Sequence, residues 1–359
     1  MSSEVTVREI RFVAAFPWLR LGRAFGCALA LQQVTLACLA VFVWTLVSPL
    51  IHPTVMPAVG FGINWDRPSQ SRIDPLAVPL GDVVGPAVAC FSGQADWWRH
   101  GVAAAAAFVL WSIVGLAISR CAAIQFSRDE NPEFQSAVRF SLARIANVCG
   151  APLIPLAGVA VLCVLVALLA LPAWIPALGT AWLWVLAPIL FVLSAAAAFA
   201  LVVVPAIWPL MVAAVAADDG DAFDAFSRAF SLVASRFWST LGLAFVCVVE
   251  AVAAAVILSS IASTGVAVAA WSADWTVSKN ATSILGQHAS WWAVVFVRGV
   301  MASLFWTLAT IVYLFLREMV DGVPVSRLKG FDEPVLSREP YPVVGIAATG
   351  TTVPPEPRE

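Results

Sequence analysis

The chain alternates long apolar runs with short polar connections, and six of the runs are long enough to cross a bilayer. A hydrocarbon core about 30 Å thick needs roughly 20 residues of helix. The six runs lie at 24–50, 101–126, 148–172, 182–214, 239–262 and 291–316. This pattern predicts an all-α polytopic membrane helix bundle with six transmembrane helices.

Composition supports the membrane assignment, and the absence of several motifs limits the kinds of catalytic or metal site that the sequence predicts. The 359 residues are 61% hydrophobic and 12% charged, whereas soluble domains are about 45–50% apolar and roughly 25% charged. The seven cysteines form no CxxC pair, and no GxSxG, GxxxxGK[ST] or HExxH pattern occurs. We therefore predict no catalytic residue, no metal site, no cofactor and no nucleic-acid partner.

Basic residues are unevenly divided between the two sides of the predicted membrane. Fifteen of the 20 lie in the amino terminus, the 127–147 and 215–238 connections, the tail and the adjoining helix ends. The positive-inside rule therefore predicts a multi-pass protein of the cell membrane with both termini cytoplasmic. Ten of the 16 tryptophans gather on the other side: Trp65, Trp97, Trp98, Trp174, Trp182, Trp184, Trp271, Trp275, Trp291 and Trp292.

These boundaries divide the chain into a cytoplasmic segment 1–23, a transmembrane domain 24–317 and a cytoplasmic tail 318–359. The tail is rich in proline, which favours disorder. Within the domain, 51–100 is predicted to be an extracytoplasmic loop rich in proline and glycine. All three histidines, at 52, 100 and 288, lie at outer span ends, where we interpret them as interfacial rings.

The fourth apolar run is too long for one straight span. It contains Pro188, Pro205 and Pro209, and proline breaks or kinks a helix. We therefore expect its last turns to kink and emerge along the cytoplasmic surface.

Two cytoplasmic connections carry a helical apolar period, which predicts amphipathic helices at 131–145 and 221–238. Asn131 is expected to cap the first helix. In the second, Phe223, Phe226 and Phe230 begin an apolar stripe that we place in the lipid boundary or on the bundle. On the opposite side, Asp224 and Arg228 stand four residues apart, a helix pair worth ~0.3–0.5 kcal/mol.

The two connections resemble each other at an offset of 89 residues. This offset aligns Asp129 with Asp218, Glu130 with Asp219 and Arg139 with Arg228. Each segment follows one apolar span and precedes another. We therefore predict a parallel repeat of span, acidic turn, amphipathic helix and span.

Four acidic residues in the second copy admit two interpretations: Asp218, Asp219, Asp221 and Asp224. They could bind magnesium for phosphoryl or prenyl transfer, or they could solvate and cap an interfacial helix. No second aspartate cluster completes a two-metal site. Acids also favour the positive N-terminal end of a helix, so we prefer the capping interpretation.

Three longer stretches resemble a known family. "WPLMVAAVAADDGDAFDAFSRAFSLVASRFW" with "ATIVYLFLREMVDGVPV", and "SRDENPEFQSAVRFSLARIANVCGAPLIPL", are similar to uncharacterised bacterial six-span membrane proteins. That family is similar in style to the membrane domain attached to some glycerophosphodiester phosphodiesterases. The resemblance implies membrane location and six-helix topology. It implies no catalysis, because the phosphodiesterase domain with its metal ligands has no counterpart here.

Two ionisable residues fall inside predicted spans. Glu250 lies near the middle of span five, where an acid costs roughly 2.5 kcal/mol or more on insertion scales. It is either a functional carboxyl in a solute or proton path or a protonated group bonded inside the bundle. Arg298 is its obvious ion-pair partner. However, Arg298 lies about 10 Å nearer the outer face, so we expect it to snorkel outward.

Three functional hypotheses follow. The first is a non-catalytic membrane protein whose cytoplasmic helices organise lipid or partner proteins. The second is a small transporter or permease that uses Glu250, together with polar residues of span six: Ser303, Thr307, Thr310 and Tyr313. The third is a lipid-modifying enzyme with a metal at the aspartate cluster.

Overall fold

The structure is a computed structural model that describes residues 21–51, 78–91, 96–175 and 178–325. Within these ranges the chain is 91% helical and contains no strand. The ten α-helices are α1 Arg23–Ala28, α2 Leu31–Ile51, α3 Val78–Ala89, α4 Trp97–Arg128, α5 Phe134–Ala143, α6 Ile145–Ala170, α7 Leu178–Asp218, α8 Ala222–Ser235, α9 Phe237–Ala273 and α10 Lys279–Asp321. A 3₁₀ turn at Leu171–Trp174 follows α6.

Six of these helices, α2, α4, α6, α7, α9 and α10, are long and apolar enough to cross a membrane. The predicted six-span, all-α bundle is therefore confirmed. The first apolar run is divided at Leu29 and Ala30 into α1 and α2, while α9 and α10 extend well beyond the predicted spans. Hydropathy detects only the part of a helix that is apolar enough for the hydrocarbon core. The helix can continue beyond that part where a neighbouring helix packs against it.

Helix α10 lies at the centre of the bundle. Its most apolar 18-residue window is 89% buried, against 6% for the α6 span and 17% for α9. Gly115 of α4 lets the two helices approach closely, because an added Cβ would lie only 2.5 Å from the Trp306 indole. The apolar surfaces that α6 and α9 leave uncovered suit contact with lipid.

Helix α7 corrects the prediction for the fourth run. The helix continues through all three prolines to Asp218, and its last turns are buried rather than spread along the surface. Trp208 stacks edge-on against Trp306 with ring centroids 5.3 Å apart, and Met211 is fully buried. Burial against α4 and α10 outweighs the hydrogen bonds that proline removes.

The predicted loop 51–100 contains a helix. Helix α3 packs against α4, and it contains twelve residues, too few to span a bilayer. Residues 52–77 and 92–95 of this loop, with His52 and Trp65, lie outside the described residues. The same is true of most of the segments 1–23 and 318–359.

The two ends of the bundle differ in composition, and we name them accordingly. The arginine-rich end carries α1, α5, α8 and the last turns of α4, α7 and α10. The tryptophan-rich end carries exposed aromatic residues, including Trp97, Trp174, Trp184, Trp271 and Trp275.

The predicted repeat has a clear structural counterpart in α4–α5–α6 and α7–α8–α9. In each copy a long helix ends at an aspartate with positive φ, +58° at Asp129 and +57° at Asp219. A short helix follows and is capped by Arg144 or Arg236, and another long helix begins at the next residue. Asp129 therefore corresponds to Asp219, and the offset at this turn is 90 residues rather than 89.

Candidate functional site

A buried carboxylate joins three helices at the arginine-rich end. Asp218, the last residue of α7, accepts a hydrogen bond from Arg228 of α8 at 2.8 Å and forms an ion pair with Arg317 of α10 at 3.2 Å. The Tyr313 hydroxyl of α10 also donates to it. We call these four residues the Asp218 hub. Only 11% of the Asp218 side chain is exposed, so the hub holds α7, α8 and α10 together.

The hub stabilises the charged form of Arg228. Burial alone would lower the pKa of its guanidinium, but the Asp218 carboxylate and the Tyr313 hydroxyl raise that pKa above its ordinary value. The contacts of the hub therefore favour protonated Arg228.

The neighbouring aspartates serve the turn between α7 and α8. Asp219 pairs with Arg144 at 2.7 Å, and the Asn147 amide donates to the Gly220 carbonyl at 3.2 Å. Asp221 caps α8 by accepting from the Asp224 backbone N–H at 2.8 Å. The capping interpretation is thus confirmed for Asp221.

Two parts of the interpretation of this cluster are wrong. Arg228 pairs with Asp218 and not with Asp224, because the corner at Gly220 folds α8 back against the end of α7. Asp218 does not solvate the helix, since α8 and α10 surround it. Among the described residues, no three His, Cys, Asp or Glu side chains are grouped to hold a metal ion.

The first copy of the repeat is more exposed. Asp129 pairs with Arg23 of α1 at 2.5 Å, and both side chains are largely exposed. Glu130 and Arg139 are exposed as well. The predicted Asn131 cap is wrong: α5 starts three residues later, with Glu133 at its N-cap and no side-chain capping bond.

The short helices bury small side chains and leave large ones outside. In α8, Ala225, Ala229 and Leu232 are buried, whereas Phe223 is 64% and Phe230 48% exposed. In α5, Ala137 and Ser141 are buried and Phe134 and Leu142 exposed. Phe223 and Phe230 of the predicted stripe therefore face away from the bundle, whereas Phe226 is half-buried.

A second carboxylate–arginine pair is buried near the tryptophan-rich end. Arg298 of α10 donates to Asp82 of α3 at 2.9 Å, and their side chains are only 7% and 10% exposed. The expected snorkelling of Arg298 is therefore wrong, because α3 brings an opposite charge to it within the bundle. We call Asp82 and Arg298 the intramembrane pair.

The structure does not join Glu250 to Arg298. Glu250 is half-buried on α9, and Arg298 is paired with Asp82 instead. The polar residues of α10 serve packing: Ser303 donates to the Ala28 carbonyl at 2.7 Å, and Thr307 donates to Gln33 at 3.0 Å. Thr310 bonds to a carbonyl of its own helix, and Tyr313 belongs to the hub. These bonds do not form a continuous polar path to Glu250.

Sequence reasoning missed Asp82, Arg317 and Arg120 as members of polar contacts, and it assigned Tyr313 to a transport path rather than to the hub. Arg120 is buried and donates to the Ala216 carbonyl at the end of α7 at 2.7 Å. The available signal was their position, since each lies in or beside an apolar segment where a charge requires a partner. His100 is buried and His288 exposed, and the interfacial assignment of both stays a prediction.

Comparisons with known proteins give no match. No protein-family model matches the chain, and no curated protein matches it. No solved structure matches it either.

Proposed function

We propose that this protein is a non-catalytic integral membrane protein that organises lipid through α5 and α8, with the arginine-rich end in the bacterial cytoplasm. The observation that carries the proposal is the exposed phenylalanine face of α8, with Phe223 64% and Phe230 48% exposed. The sequence resemblance to six-span bacterial membrane proteins supports the same membrane location.

The hub explains why this aromatic face points outward. Arg228 is tied to Asp218, and small alanines on the opposite face pack against the bundle. Rotating α8 to bury its phenylalanines would break the ion pair and place large rings where alanines now fit. The outward face is therefore a fixed feature of the fold.

The position of α8 along the axis of the bundle suits the lipid headgroup region. Helix α9 begins directly after it, with Phe237 and Trp238 exposed. Aromatic rings are enriched at membrane interfaces, and an apolar helix face inserts about 5–10 Å into the headgroup boundary. Exposed Arg139 and Arg236 add positive charge, each worth about 1 kcal/mol toward anionic lipid near a membrane surface.

The test measures lipid immobilised by the protein in proteoliposomes. Electron paramagnetic resonance of spin-labelled phosphatidylglycerol and phosphatidylcholine gives the motionally restricted fraction of each lipid. We expect wild type to restrict more of the anionic lipid, and the double variant Phe223→Ser/Phe230→Ser to lose most of that preference. Phe91→Ser, which changes an exposed aromatic residue at the other end of the bundle, serves as the control. Equal restriction of both lipids by wild type would refute the proposal.

A further inference from the structure

Side chains from three helices converge on the Asp82 carboxylate. The Arg298 Nη2 of α10 donates to Oδ1 at 2.9 Å, and the Trp111 indole of α4 donates to Oδ2 at 3.2 Å. The Trp44 indole of α2 lies close to the same carboxylate. A guanidinium matches the geometry of a carboxylate. Together the three side chains form a built carboxylate site inside the bundle.

This site has binding capacity that Asp82 does not use. The Arg298 Nε is buried and has no hydrogen-bond partner among the described residues. The same holds for the hydroxyl of Ser48, one turn from Trp44 on the same face of α2. Leaving a buried donor unpaired costs about 1–3 kcal/mol, and more when the group is charged. A ligand free to align with both Nη2 and Nε of Arg298 would recover this energy.

Helix α3 carries Asp82 and packs against α4 and α10. Gly81 and Gly85 lie on an exposed side of α3, where an added Cβ would meet nothing within 4 Å. Arg298 follows Trp292 by six residues, which is about 9 Å along the helix. The site therefore lies close to the tryptophan-rich end, and Asp82 reaches it from a short helix with one exposed side.

We propose that Arg298, Trp111 and Trp44 form a binding site for a small carboxylate, in which Asp82 is a tethered ligand that an external carboxylate displaces. The exchange replaces one carboxylate by another, so the buried guanidinium keeps a counter-charge throughout. This site lies at the opposite end from α5 and α8, so the inference does not depend on the lipid-organising function.

The first experiment uses acetate and trifluoroacetate as probes of the purified full-length protein. Trifluoroacetate binding is followed by ¹⁹F line broadening, and acetate binding by the rise in Tm. We expect Asp82→Ala to bind both probes about tenfold or more tightly than wild type, because a tethered carboxylate competes at an effective concentration in the millimolar range. Arg298→Gln should abolish binding. Acetamide, which lacks the charge, should bind to neither protein.

Asp274→Ala is the matched control, since Asp274 is exposed beyond the end of α9. It should bind acetate as wild type does. If Asp82→Ala binds no tighter than wild type, or if Arg298→Gln binds equally well, the pair is structural only and the proposal is wrong.

A second experiment keeps Asp82 in place, in case Asp82→Ala fails to fold. A Cβ at residue 101 would lie 3.7 Å from the Cys90 Sγ, so Gly101→Cys can form a disulfide that locks α3 onto α4. We expect the reduced variant to bind trifluoroacetate and the oxidised variant to lose binding, whereas Gly101→Ser should be insensitive to oxidant. Absence of binding in the reduced variant, or equal binding in both states, would overturn the proposal.

Discussion

The Asp218 hub and the intramembrane pair use the same chemistry in different surroundings. In the hub, one carboxylate meets two guanidiniums and a hydroxyl at the end of the bundle, and 38% of the Arg228 side chain is exposed. In the intramembrane pair, one carboxylate meets one guanidinium, and at most a tenth of either side chain is exposed. Water can therefore replace a lost partner at Arg228, whereas Asp218 and Arg317, 11% and 13% exposed, are nearly as buried as the pair.

This difference separates two uses of an ion pair. The hub orients α8 at a surface, where solvent screening limits what the partly exposed Arg228 contributes. The intramembrane pair holds a short helix against two long ones, where an unpaired charge is costly. Arg298→Gln and Asp218→Ala measure this contrast through the free energy of unfolding in mixed detergent and SDS micelles. Two substitutions that remove contacts of the turn before α8 extend the comparison to more exposed sites.

The largest effect is expected for Arg298→Gln. It leaves the Asp82 carboxylate buried without its charge partner, which should cost about 3–5 kcal/mol. The double variant Asp82→Asn/Arg298→Gln removes both charges and should recover most of that loss. A single variant as stable as wild type would show that water reaches the pair.

A smaller effect is expected for Asp218→Ala. Arg317 and Tyr313 would lose their acceptor, and a hydrogen bond to a charged group contributes about 1.5–3 kcal/mol. Partial exposure of Arg228 keeps the loss toward the lower part of that range. Arg228→Gln, which retains the Arg317 and Tyr313 bonds, should cost less. If it costs more than Asp218→Ala, the carboxylate is not the centre of the hub.

Asp221→Ala isolates the cap of α8. Losing the bond to the Asp224 backbone N–H should cost about 1 kcal/mol. Asp221→Asn can still accept that bond and should retain most of the stability. Equal losses in the two variants would argue against capping.

The smallest effect is expected for Arg144→Ala. Its pair with Asp219 is 39% and 43% exposed, and exposed ion pairs contribute about 0.2–1 kcal/mol. Raising the salt concentration should shrink the difference from wild type further. A loss as large as that of Asp218→Ala would mean that this pair is shielded from solvent.

Local patterns predicted much of this architecture. Six apolar runs, the acidic turns and the short helices between spans follow from length, periodicity and charge. The expected emergence of the last turns of α7 along the surface failed as a prediction, because proline was judged without the α4 and α10 side chains that bury Met211. Helix α3 was also missed, since a twelve-residue apolar segment with prolines does not have the length of a span.

The sequence by itself determined that this is a six-span helical membrane protein with an acidic, arginine-bearing turn repeated along the chain. Only the tertiary structure decided which charges meet. Arg228 binds Asp218 rather than Asp224, which is only four residues away. Arg298 binds Asp82 at a separation of 216 positions. Hydropathy and helical period report on neighbours along the chain, whereas an ion pair depends on which helices pack side by side.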